Sequence, residues 1–304
     1  MAPRVLALVG PTAAGKSALA LAIAPGIDAE IVSIDSTMVY RGMDIGTDKP
    51  SPSELAQVPH HLVDVVEPSR TLTVSEFQAL ARAAVDRIVG RGRTPLLVGG
   101  SGLYFRAVVD PLGFPPTDPA VRAGLELRAV DGPDELYEAL RRLDPEAASR
   151  IGRSNARRIV RALEVIEITG RAFSSFRTGW DDYHSIYDLR VAAISWPRDE
   201  LDRRIDGRVD RQIARGLVEE VRRLERDGFR ASLTSVQALG YAQILRQLDG
   251  GCSLEEAAAE TKRRTRRFAR RQLTWFRPDP RVVWFEADPA GAGAFLAEAT
   301  GRAA

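Results

Sequence analysis

A single cysteine, Cys252, stands in 304 residues. One thiol excludes an intramolecular disulfide and any zinc site built on several cysteines. Lysine is almost as scarce. Lys16, Lys49 and Lys262 are the only three among 43 basic residues, so an arginine cluster says little and a retained lysine says more. No stretch approaches the roughly 20 apolar residues of a membrane span, and no signal peptide precedes the first apolar run. The expected compartment is the cytoplasm, with no membrane partner. Net charge is only +2, so any basic surface must be local. The hydrophobic share of 44% and charged share of 28% are those of a soluble globular protein. The length suits one large or two ordinary domains. No internal repeat is visible.

What is present begins with a loop, Gly10-Pro11-Thr12-Ala13-Ala14-Gly15-Lys16-Ser17. It spells G-x-x-x-x-G-K-S, a P-loop. The apolar run Val5 to Val9 before it reads as a buried strand, and Ser17 to Ile23 after it is rich in helix formers. A strand, a glycine turn and a helix N-terminus make an anion cradle of backbone N–H groups. Lys16 adds a point charge, and Ser17 a hydroxyl for Mg²⁺. The loop specifies a bound polyphosphate but not which one.

Ala29 to Asp35 reads as a second buried strand ending in a carboxylate, followed by a loop from Ser36 to Lys49. Ligands of open α/β sheets sit beyond the carboxyl ends of the strands, so Asp35 is expected on the rim of the P-loop. Position alone leaves it open between a catalytic role and a Mg²⁺-shell or helix-capping carboxylate. Pro59 to Val66 suggests a third strand. Its paired His60 and His61 lack a third ligand at metal-binding spacing. Thr73 and Glu76 form a capping box for a helix running to Val89. Pro95 to Val98 is a fourth strand, tipped by Gly99-Gly100-Ser101-Gly102 instead of a Walker B aspartate. On sequence alone this is an ordinary glycine turn that exposes the Ser101 hydroxyl.

Pro111, Gly113, Pro115 and Pro116 mark the clearest boundary in the chain. The expected fold is α/β: a P-loop NTPase-like parallel sheet flanked by helices, built from residues 1–112 and 186–304. Residues 113–185 form an all-helical insertion, with helices opening at Pro119, Pro133 and Asn155. Arg153, Arg157, Arg158 and Arg161 are read along one helix. Leu189 to Ser195 returns to the sheet. Arg198 to Glu225 reads as one long charged helical stretch, and Leu254 to Phe276 as another helix. The second has a seam of Leu254, Ala258, Thr261, Thr265, Phe268, Gln272 and Trp275. Seven of the ten residues from Lys262 to Arg271 are basic with no acid among them, which favours an RNA or phosphate surface. Val282 to Phe285 suggests a last strand, and the Ala/Gly-rich end a weak helix or frayed tail.

Several separated stretches occur together. They are the P-loop, Asp35-Ser36 through Val39-Tyr40-Arg41-Gly42-Met43-Asp44-Ile45-Gly46-Thr47, and Gly99-Gly100-Ser101-Gly102-Leu103-Tyr104. Pro59-His60-His61-Leu62, the stretch Arg157 to Glu164, Gly240-Tyr241 and Arg270-Arg271-Gln272-Leu273-Thr274-Trp275-Phe276 complete the set. The set resembles the tRNA dimethylallyltransferases over nearly the whole chain. The resemblance implies that the P-loop, Gly10 to Ser17, holds the diphosphate of dimethylallyl diphosphate together with Arg208. It implies that the prenyl group passes to N6 of the adenosine just 3′ of the anticodon. Asp35 is then the base or acceptor at N6, and Ser101 takes the place of the family's usual Thr. Lys16, Mg²⁺ on Ser17 and Arg208 neutralise the departing diphosphate. The implied tRNA contacts are Asp35, Ser36, Thr37, Met38 (where many members carry Gln), Ser101, Arg122, Arg157, Arg158, Arg161, Gln237, Gly240, Tyr241 and Arg270. The helical insertion grips the anticodon stem-loop, and a bacterial-type monomer without a zinc-finger tail is expected. Two other readings share the motifs. A small-molecule or nucleoside kinase explains the sheet but not the basic helices. A non-catalytic RNA-binding P-loop switch leaves Asp35 and Ser101 without a role.

Overall fold

The computed structural model describes residues 2–301, apart from 178, 181 and 233. The chain divides into two compact units, residues 1–110 with 185–304 and residues 111–184. The larger unit opens with β1 (Arg4–Val9), α1 (Lys16–Ile23), β2 (Ala29–Ser33), α2 (Pro52–Gln57), β3 (His60–His61), α3 (Val74–Gly90), β4 (Thr94–Val98) and α4 (Gly102–Val109). The smaller unit holds α5 (Pro119–Asp131), α6 (Pro133–Leu143), α7 (Pro145–Ile151) and α8 (Ala156–Thr169). The larger unit resumes with β5 (Asp188–Ser195), α9 (Arg198–Ala214), α10 (Leu217–Arg226), α11 (Tyr241–Leu248), α12 (Leu254–Phe276), β6 (Val282–Glu286) and α13 (Pro289–Glu298).

The six strands form one parallel sheet in the order β3-β2-β4-β1-β5-β6. β1 is apolar from Val5 to Val9 because both of its faces are covered. Its alternation splits the core. Val5, Ala7 and Val9 join Phe77, Phe105, Tyr241 and Phe276 on one side. Leu6 and Leu8 join Ala20, Ile31, Leu96 and Leu296 on the other. Leu8 is in register with Val98 of β4 and Ala192 of β5, so the ends of β1 and β4 lie side by side where the P-loop and the glycine tip begin.

Three expectations from the sequence are corrected, and an alternative left open for the end of the chain is decided. The strand from Pro59 to Val66 shrinks to His60–His61 because Leu62 and Asp64 adopt positive φ and turn the chain away. The stretch Arg198 to Glu225 is two helices, broken at Gly216, whose φ is +97°. The buried seam of α12 is Ala257, Thr261, Thr265, Ala269, Gln272 and Phe276, while Leu254 and Trp275 are exposed. The apolar repeat was legible, but its direction depended on the neighbouring helices. The Ala/Gly-rich end forms α13, capped by Asp288 through Gly291 N–H at 2.8 Å and packed on α1 and β5. α3 begins as expected, with the Thr73–Glu76 capping box.

In the smaller unit, Leu125, Leu136, Leu140, Ala148, Ile159, Ala162 and Leu163 form a separate core. Asp118 and Asn155 cap α5 and α8, and Gly170 ends α8 at φ +66°. α7 is too short to show a helical period in sequence. Asp144 caps it, accepting from Ala147 N–H at 3.0 Å, and accepts from Ser174 N–H at 2.7 Å with its other oxygen.

A buried ion cluster closes the far end of the larger unit. Asp110, 0% exposed, accepts from Arg106 Nε and Arg281 Nη1, both at 2.5 Å. Arg281 also pairs with Asp279 at 2.7 Å. Removing the shared carboxylate strands buried guanidinium charge. Asp110→Ala is therefore expected to lower stability by about 3–5 kcal/mol, measured by urea unfolding; a loss below about 1 kcal/mol would place the cluster with ordinary surface pairs.

Candidate active site

The P-loop is shaped by its neighbours. A Cβ on Gly10 would lie 2.4 Å from the Ile194 carbonyl, and φ there is +131°, so only glycine fits between β1 and β5. Gly15 is the N-cap of α1 in the left-handed region and supplies no side-chain cap, which suits the helix N-terminus to an anion. Trp196 Nε1 donates to the Ala14 carbonyl at 3.0 Å. Arg208, from α9, donates through Nη1 to Thr12 Oγ1 at 2.7 Å. Gln272, from α12, accepts from Thr12 N–H at 2.8 Å. Lys16 Nζ donates to the Pro11 carbonyl at 2.6 Å. Burial, then repulsion from Arg208, lowers the Lys16 ammonium to a pKa of about 8, and attraction to Asp35 only partly offsets this.

A cavity of about 500 Å³ opens beside this loop. Its lining brings together Thr12, Ala13, Gly15, Lys16, Ser17, Asp35, Met38 and Arg208, as the sequence led us to expect for the phosphate loop and strand-end carboxylate. Asp35 lies two residues beyond β2. Its Oδ1 accepts from Thr37 N–H at 2.8 Å and Thr37 Oγ1 at 2.6 Å, which fixes the carboxyl group in an Asx turn. Among the described residues, Oδ2 has no hydrogen-bond partner. Met38 receives a long contact of 3.5 Å from Ser33 Oγ.

Ser101 is not part of that lining. It opens α4 without capping it and lines an adjoining groove of about 200 Å³ with Tyr104, Arg271 and Trp275. Gly100, Phe268 and Gln272 border both spaces. The glycine tip is more than a turn. A Cβ on Gly100 would meet Gln272 Nε2 at 2.2 Å and the Gly10 carbonyl at 2.8 Å, and one on Gly102 would meet Trp275 Cβ at 2.4 Å. Gln272 thus joins the P-loop to the glycine tip. In sequence it was visible only as one member of a helical seam.

The other anticipated RNA-facing residues separate into groups. Ser36 and Thr37 adjoin Asp35, and Thr37 is engaged with it. Gln237 is exposed. Tyr241 is 0% exposed and cannot touch RNA. Its hydroxyl donates to Glu220 Oε1 at 2.6 Å, and its ring lies where a Cβ on Gly46 would sit. Gly240, also buried, supplies the positive φ of +89° before it. Glu220 accepts N–H bonds from Asp44, Ile45 and Gly46 at 3.1, 2.8 and 3.2 Å. Tyr241 and Glu220 therefore hold the loop after β2 in place. Tyr40 is likewise buried, on Thr234.

In the smaller unit, Arg157 and Arg158 are exposed on α8. Arg122 and Arg161 both bind the buried Glu164, at 2.7 and 2.8 Å, and Arg161 also donates to the Pro115 and Pro116 carbonyls. The basic run of α12 is less bare than its sequence suggests. Asp202, Asp206 and Asp210, spaced four apart on α9, pair with Arg270, Arg266 and Lys262 at 3.4, 2.5 and 2.6 Å. Glu260 takes Arg263 and Arg264. His61 binds Glu30 at 2.6 Å, and His60 the Val58 carbonyl at 2.7 Å, so the histidine pair serves the sheet edge. Among the described residues, no cluster of three His, Cys, Asp or Glu is placed to hold a metal. No described helix is long and apolar enough to cross a membrane.

Comparison with known proteins agrees with this geometry. Residues 38–279 match the family described as IPP transferase. The tRNA dimethylallyltransferase of Streptomyces avermitilis is 53% identical over 298 residues, covering 98% of this chain and 93% of the relative. The solved tRNA isopentenylpyrophosphate transferase of Bacillus halodurans superimposes with a TM-score of 0.71 at 39% identity, covering 98% of both chains. A eukaryotic dimethylallyltransferase captured acting on tRNA gives a TM-score of 0.80 at 26% identity, over 94% of this chain and 74% of that one. The strand-loop-helix cradle, the carboxylate facing it and the match along most of the sequence place this chain in the IPP transferase family, among the tRNA dimethylallyltransferases.

Proposed function

We propose that the chain transfers the dimethylallyl group of dimethylallyl diphosphate to N6 of the tRNA adenosine 3′-adjacent to the anticodon. The observation that carries this reading is Asp35 lining the same cavity as Lys16 and Arg208. A carboxylate there faces a cradle built for a polyphosphate. β4 ends in Val98 followed by Gly99, so the strand beside β1 brings no acid of the kind that P-loop phosphoryl-transfer sites use for their metal. That favours alkyl transfer over a kinase reaction.

In this mechanism the loop N–H groups, Lys16 and Arg208 bind the diphosphate. The C1–O bond of the donor breaks, and the electron pair leaves with the diphosphate oxygen. The N6 lone pair forms the new bond to C1, and Asp35 accepts the N6 proton. Opposing charge at the leaving group is worth most in a dry site, because little water screens it. The Ser17 hydroxyl fits Mg²⁺, which keeps several waters and binds through substrate phosphate, so it needs few protein ligands. When bound, Mg²⁺ would supply further charge for the leaving diphosphate. Reaching Asp35 requires the adenine to leave its stack, as in other enzymes that act on bases. Ser101, in the adjoining groove, suits the approach of the acceptor. Arg157 and Arg158 suit phosphates of the anticodon stem-loop. The same set of residues is complete in one chain acting as a monomer.

The direct test incubates the protein with dimethylallyl diphosphate, Mg²⁺ and unmodified tRNA and analyses the nucleosides. N6-dimethylallyladenosine is expected, and ATP turnover without it would overturn the proposal. Asp35→Ala should reduce turnover by about 10²–10⁴-fold, the usual worth of a general base, with tRNA affinity little altered; unchanged turnover would remove Asp35 from the mechanism. Donor binding should weaken as pH rises above about 8, as the free Lys16 ammonium loses its proton. Above about 8, binding should take up a proton, seen by calorimetry in buffers of different ionisation heat, and Lys16→Met should abolish that uptake. Arg157→Glu with Arg158→Glu should weaken tRNA binding and flatten its salt dependence. An unaltered salt slope would exclude both from the RNA contact.

A further inference from the structure

Among the described residues, two carboxylates line the donor cavity, and the proposed chemistry uses only Asp35. The other is Asp48. It stands among Lys16, Arg203, Arg204, Arg208 and Arg211, where an acid works against anion binding. Asp48 Oδ2 lies 2.9 Å from Arg208 Nε, and Oδ1 lies 3.4 Å from Arg215 Nη1. Arg208 spends its remaining nitrogens on Thr12 Oγ1 at 2.7 Å and on the Thr47 carbonyl at 3.3 Å. All three nitrogens therefore face protein oxygens.

Asp48 is held firmly. Its N–H donates to the Ile45 carbonyl at 3.2 Å, and its φ is +54°. The preceding residues hang on Glu220. Lys49, immediately after it, is anchored to the Tyr40 carbonyl at 2.5 Å, to Asp44 at 2.8 Å and to Asp64 at 2.5 Å. A fixed carboxylate on Arg208 is a standing rival to any phosphate oxygen that the arginine must bind.

We propose that Asp48 is an internal counter-ion that competes with the diphosphate for Arg208, and so limits the affinity for donor and for released pyrophosphate. The proposal rests on the reading of the cavity as a diphosphate site. The bond to carbon, once broken, leaves pyrophosphate with more negative charge than the donor ester carried. The product is then the tightest ligand, and a carboxylate ready to retake Arg208 favours its departure.

Calorimetry with inorganic pyrophosphate and Mg²⁺ tests this on the full chain. Asp48→Asn keeps an oxygen for Arg208 Nε–H, removes the charge and tolerates positive φ. Asp48→Gly removes the whole side chain and also suits that φ. Each should bind pyrophosphate about three- to tenfold more tightly, the scale of one partly solvated ion pair. Each should also show stronger product inhibition of prenyl transfer. In an Arg208→Ala background, the same substitutions should change affinity little. Unchanged or weaker binding by Asp48→Asn and Asp48→Gly, with thermal unfolding like that of the unaltered chain, would overturn the proposal. So would full tightening without Arg208, which would mean a general field effect. If the unaltered chain bound no pyrophosphate, the diphosphate reading itself would fall, and the proposal with it.

Discussion

Two cations, Lys16 and Arg208, are held at one cavity closely enough that Arg208 disfavours the charge of Lys16. Burial and the Arg208 charge lower the Lys16 ammonium to about 8. Such an arrangement is unfavourable by itself and becomes favourable when an anion lies between the two. Much of the larger unit holds these groups in place. β1 and β5 pinch Gly10, α9 carries Arg208, and α12 returns Gln272 to the Thr12 N–H. The site is stabilised from elements far apart in sequence, so the bound anion would tie the end of the chain to its beginning.

Asp35 decides what such a clamp does. Thr37 fixes one oxygen of its carboxyl group. In the proposed reaction the other accepts a proton from a weak nucleophile, while the charge on the leaving diphosphate is neutralised across the cavity. The protein then performs alkyl transfer with a loop whose geometry also suits phosphoryl transfer. The difference lies in what faces the phosphate: an acid on the loop after β2, and glycines at the end of β4.

The parts legible in sequence were those governed by local rules. The P-loop, the strands β1, β2, β4 and β5, the Thr73 cap and the full length of α12 follow from composition, spacing and capping chemistry. The misses were tertiary. Which side of α12 faces inward depends on α9 and α11, so Ala257 and Ala269 are buried where Leu254 and Trp275 were expected. The α12 arginines looked unpaired because their aspartates lie about 60 residues earlier in sequence, on α9. Tyr241 looked like a contact residue, yet it is the packing support of Gly46. Gln272 gave no signal beyond its place in a helical repeat. A single side-chain amide holding a distant backbone N–H has no spacing rule that would reveal it.

The central claim is that carbon, not phosphorus, is the reacting atom above this P-loop. It is tested most directly with dimethylallyl diphosphate carrying ¹⁸O in the oxygen that joins C1 to phosphorus. With unmodified tRNA and Mg²⁺, the account predicts that the released pyrophosphate retains the ¹⁸O while the prenyl group appears on adenosine N6. Release of ¹⁸O-labelled prenyl alcohol, with pyrophosphate free of label, would mean P–O cleavage and would contradict it.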